Sequence, residues 1–88
     1  MSFNVLFMAH APDADGHKHR SKIDTGRYRL FSVVVRDQAE ALDTARAFTA
    51  VENIDSILLC PGFTHADVAQ ISEALGGRVG VAVARGDG

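Results

Sequence analysis

Residues 57–67 (Ile57-Leu58-Leu59-Cys60-Pro61-Gly62-Phe63-Thr64-His65-Ala66-Asp67) constrain this chain more than any other stretch. Residues 57–60 are apolar on both faces of a strand, which calls for something packed on each side. Pro61-Gly62 breaks the strand. Thr64, followed three residues later by Asp67, spells a capping box, and Val68, Ile71 and Leu75 continue it as an apolar helical stripe. Gly76-Gly77 ends that helix, because glycine tolerates the left-handed backbone found there. Buried strand, tight turn and capped helix form the repeating unit of a parallel α/β sheet.

The remaining segments fit that unit. Residues 3–9 form a short apolar run, a first strand with Phe3, Val5 and Phe7 on one face and Asn4, Leu6 and Met8 on the other. Residues 27–35 form a second strand with strong β-branched content. Asp37 caps a helix expected to run to about Glu52, with Glu40 reaching back to complete a capping box; Ala41, Leu42, Ala45 and Phe48 make its stripe. Residues 54–60 form the third strand and residues 78–85 a fourth, with Val79, Val81 and Val83 opposite the small Gly80, Ala82 and Ala84. The expected fold is a single α/β domain over residues 1–88, with a four-stranded, mostly parallel sheet in the order β-loop-β-α-β-α-β. Residues 11–26 are read as a polar, basic loop or short helix, with five potentially cationic side chains among residues 17–22.

At 88 residues, a chain buries only roughly 60–65% of the surface its unfolded form exposes. Two helices cannot cover both faces of such a sheet. The doubly apolar strands therefore need the basic segment as a further cover, or a second subunit, and a homo-oligomer is expected. A net charge of −2 and a pI near 6.0 offer no basic field for nucleic acid or an anionic membrane. The single cysteine rules out an intramolecular disulfide and fits a reducing compartment. The early apolar run is too short for a secretory h-region and lacks a preceding basic residue, so a cytoplasmic location is expected.

Several residues together resemble a family of short bacterial α/β proteins of unknown function, family 6506. They are the apolar first strand, His19-Arg20, Thr25-Gly26 before the second strand, Arg36-Asp37 at the alanine-rich helix, and above all Leu59-Cys60-Pro61-Gly62-Phe63. The likeness covers most of the chain, and its most specific element is the Cys-x-Gly-Phe turn. Pro61 departs from the small residue expected there. The resemblance implies the fold; it implies no activity, cofactor or catalytic residue.

Ligands of open parallel sheets bind beyond the carboxyl ends of the strands, where strand order reverses. That edge would carry His10, the basic loop, Arg36, the turn at residues 60–65 and Arg85. A helix N-terminus there presents free N–H groups to an anion. The expected ligand is a small anionic metabolite held by His10, His19, Arg20, Cys60, Gly62, Thr64 and His65, with Arg20 pairing the charge. Against this, the Thr64–Asp67 box uses some of the same N–H groups, and the turn lacks the glycine spacing and lysine of a phosphate loop. Cys60 as a nucleophile, with His65 or His10 as base, lacks a third orienting group, and core packing suits its apolar strand better. His17-x-His19 and Asp13-x-Asp15-Gly16 match no recognised metal spacing, so no metal site is assigned. The rival to ligand binding is a structural or interaction module acting as a homo-oligomer.

Overall fold

Five strands and two helices account for most of the chain in the computed structural model, which describes residues 1–84. They are β1 (Phe3–His10), β2 (Arg20–Asp24), β3 (Tyr28–Val35), α1 (Gln38–Glu52), β4 (Ser56–Leu59), α2 (His65–Ala74) and β5 (Gly80–Val83). The sheet order is β2-β3-β1-β4-β5. All neighbours pair in parallel except β2 with β3, which are antiparallel. Arg85, expected at the end of the last strand, lies outside the described residues.

The expected sheet of four strands is thus corrected to five. Residues 20–24, read as part of a loop or short helix, pair with β3 through a tight turn at Thr25-Gly26, where Gly26 has φ of 94°. All five β2 residues are exposed, so the strand carries no apolar alternation by which a sequence would announce it.

Both crossover helices lie on one face. The chain passes from β3 over β1 to β4, then from β4 to β5, always in the same direction across the sheet. Right-handed crossovers in one direction place both helices on one side, and α1 packs against α2. Between them and the sheet lies the core: Leu6, Met8, Phe31, Val33, Val35, Ile57 and Leu59 meet Ala41, Ala45, Phe63, Ile71 and Leu75. Ala41 and Ala45 are fully buried, and their small side chains let α1 lie close to the strands.

Among the described residues, no helix lies over the opposite face. Strand alternation assigns to it Phe3, Val5, Phe7 and Ala9 of β1, and Ser21 and Ile23 of β2. It also receives Tyr28, Leu30, Ser32 and Val34 of β3, Ser56 and Leu58 of β4, and Gly80 and Ala82 of β5. None of these residues is charged. The charged side chains of the sheet, Arg20, Lys22, Asp24 and Arg29, fall on the helix side instead, where Arg20 lies over Phe48, and Lys22 and Arg29 lie over Phe31. The basic segment extends the sheet at its edge and does not form the further cover the sequence called for.

Candidate functional site at the carboxyl edge of the sheet

The strand order fixes where a crevice can open. The chain leaves β1 toward β3 and leaves β4 toward β5, so the reversal lies between the carboxyl ends of β1 and β4. His10 ends β1, and Cys60-Pro61-Gly62 follows β4 there. The His10 ring meets the Phe63 ring edge-on at 4.5 Å between centroids. It also abuts Gly62, where a Cβ would come within 3.2 Å of the imidazole and 3.6 Å of the Cys60 sulfur. His10, Cys60 and Gly62 therefore lie together at this end of the sheet.

Thr64 and His65 begin α2 beside them. The Thr64 hydroxyl accepts the Asp67 N–H at 3.1 Å, and the Asp67 carboxylate accepts the Thr64 N–H at 3.0 Å, so the capping box is complete. Its carboxylate occupies part of the position an anion would take at this helix end. Cys60 is half-buried and packs against the core.

His19 and Arg20 are held elsewhere. The His19 Nδ1 accepts the Asp15 N–H at 2.9 Å, and the Arg20 Nε donates to the Gly16 carbonyl at 2.7 Å. Arg20 stands on the helix side of the edge strand with its guanidinium 5.2 Å from the Phe48 ring centre. Four of the seven anticipated residues thus surround the β4–α2 turn with His10, while the two from the basic loop serve that loop's own structure.

Glu40 organises the loop. One carboxylate oxygen accepts both the Gly16 N–H, at 3.1 Å, and the Arg36 N–H, at 2.7 Å. The capping box expected for α1 is thus only half formed: Asp37 accepts the Glu40 N–H at 2.9 Å, but the Glu40 side chain turns toward the loop. Arg36 adds a contact from Nε to the Ala14 carbonyl at 3.3 Å. Within the loop, the Asp15 carboxylate accepts the His17 N–H at 2.9 Å, which holds its pKa below the ordinary carboxylate value.

Two larger cavities lie apart from the β4–α2 turn, the second of them at the carboxyl end of β3 on the same edge of the sheet. One of about 470 Å³ opens between the ends of the two helices, lined by Arg46, Asn53, Asp55, Leu75 and Arg78 among others. Another of about 380 Å³ lies beside α1, where His17, Arg20 and Arg36 face Asp37, Glu40 and Asp43. In the second, the acidic groups offset the basic ones, so it has no strong preference for an anion. Among the described residues, no three His, Cys, Asp or Glu side chains gather in a group that could hold a metal ion.

Among the described residues, fold and site together define a small α/β protein with an antiparallel edge strand, both helices on one face, and a histidine–cysteine–glycine cluster at the strand reversal. Residues 3–88 match the family of unknown function DUF6506, and the chain belongs to that family. No curated protein and no solved structure matches the chain. Among the described residues, no helix is long and apolar enough to cross a membrane.

Proposed function

We propose that this protein is a structural or interaction module that works through the open face of its sheet. The observation that carries this reading is the distribution of charge. A sheet face that meets water alternates with polar and charged residues, whereas here five strands place no charged side chain outward. Ile23 is 59% exposed, Phe3 50% and Tyr28 43%, and half-buried Phe7, Leu30, Val34 and Leu58 lie among them. Large apolar side chains exposed close together on one face mark association surfaces in soluble proteins.

The test is dye binding at low protein concentration. An environment-sensitive dye that stains apolar surface should bind the dissociated protein, and Ile23→Asp should reduce that binding without lowering the melting temperature. Unchanged dye binding in Ile23→Asp and Leu58→Asp would place the staining elsewhere and remove the reading's support.

A second reading has its own support in the convergence of His10, Cys60 and Gly62 at the strand reversal. In that reading the edge holds a small anionic metabolite against the start of α2. A ligand at about a hundred times its dissociation constant adds ~2.7 kcal/mol of stability, several degrees in a domain of this size. A melting-temperature shift with phosphorylated metabolites or carboxylates, lost in His10→Ala, would support it. No shift across the panel would count against it.

A further inference from the structure

We infer that the occupant of the open face is a second copy of this chain, related by a two-fold axis running along β1. The inference rests on the interaction-module reading above and adds the identity and arrangement of the partner.

The pairing registers fix rows of residues across the face. One row reads Ile23, Leu30, Val5, Ser56, Gly80. The next reads Ser21, Ser32, Phe7, Leu58, Ala82. With β1 at the centre of five strands, a two-fold axis along it lays β3 over β4 of the second copy and β2 over β5 of the second copy. Each row then lies across its own reversed image. Leu30 faces Ser56 of the second copy, Ser32 faces Leu58 of the second copy, and Ile23 faces Gly80 of the second copy. Large side chains meet small ones in three of these crossings, while Val5 and Phe7 meet their own counterparts near the axis. Only Ser21 and Ala82, at the margin, pair small with small.

An axis perpendicular to the strands would instead set β3 on β3, with its bulky Tyr28 and Leu30 on one flank and the small residues of β5 on the other. Relief in these two rows therefore favours an axis along the strands over one across them. Interfaces of this kind are isologous, so one self-complementary patch suffices, and aligned sheets pack about 10 Å apart with interdigitated side chains.

The charge distribution agrees. The described strand residues of the face carry no charge and so can lie on their own copy without like-charge repulsion, while Asp13 and His19 line a cavity with Val34 at its margin. Five strands at about 4.8 Å spacing make the face roughly 20–24 Å wide.

The test uses two positions that the protomer itself does not need. Ile23 is exposed, and a Cβ at Gly80 would meet nothing within 4 Å. In sedimentation equilibrium the wild-type chain should show twice its 9.4 kDa. Ile23→Lys and Gly80→Asp should each lower the mass toward the monomer, with unchanged circular dichroism. The double variant should recover the dimer, because the two new charges face each other twice across the axis. A dimer indifferent to both single variants would overturn the inference, as would a double variant that stays monomeric. A wild-type monomer at about 100 μM that still binds the apolar-surface dye through Ile23 would overturn the second copy as occupant and keep the interaction reading; a monomer without such binding would overturn both.

Discussion

Asn4 is a buried polar residue in an apolar strand, and its partners explain why it is tolerated. Its Nδ2 donates to the carbonyls of Glu52 and Asn53, at 3.3 and 3.1 Å, where α1 ends. Its Oδ1 accepts from the Arg29 Nε at 2.9 Å, and Arg29 pairs with Glu52 at 3.2 Å. Asn4→Ala strips these carbonyls and should cost about 1–3 kcal/mol in urea denaturation. Glu40→Ala, which leaves the buried Gly16 amide unpartnered, should cost a similar ~1–3 kcal/mol and speed hydrogen exchange at Gly16. Asp15 tests the loop by pH. Its folded pKa is depressed, so its contribution is present above the unfolded carboxylate value of about 3.9 and is lost as pH falls through the folded pKa. The stability gap between wild type and Asp15→Asn should therefore close on acidification from pH 7 toward pH 3. These roles were hidden in the sequence because each depends on a partner distant along the chain. Asn4 marked only a strand position, and Glu40 satisfied the spacing of a local cap while its carboxylate serves a residue 24 positions earlier. Cys60, Gly62 and His10 were legible because the strand-turn-helix unit and the end of the first strand determine where they fall.

Among the elements, both helices were readable from their own residues. Asp37 and Thr64 stand at the N-caps, the apolar stripes face the core, and Gly76 and Gly77, with φ of 67° and 70°, close α2. Thr64→Ala should cost about 1 kcal/mol in thermal or chemical denaturation, since the Asp67 N–H loses its acceptor. A cost near zero would mean that water replaces the hydroxyl and that the box has little part in positioning the turn. The edge strand β2 was not readable. An exposed antiparallel edge draws its stability from backbone pairing with β3, which leaves no periodic mark in the side chains. Its polar and cationic residues are also those of a solvated loop. Their placement had a further consequence: Arg20 and Lys22 were available in sequence for an anion, but strand alternation turns both onto aromatic rings on the helix side.

At the scale of the whole molecule, the decisive property is that two successive crossovers run the same way. The sequence showed too few helices for two faces, and topology determines that one face receives both. What covers the other face cannot be read from a list of elements, because it depends on the register that lines up Ile23, Leu30, Val5, Ser56 and Gly80 in a row. An assembly in which that face is buried is expected. Small-angle X-ray scattering across a concentration series measures mass and size together. The predicted result is twice the 9.4 kDa chain mass, with a radius of gyration well above the 12.2 Å of one protomer. A mass of one chain and a radius near the protomer value at every concentration would contradict it.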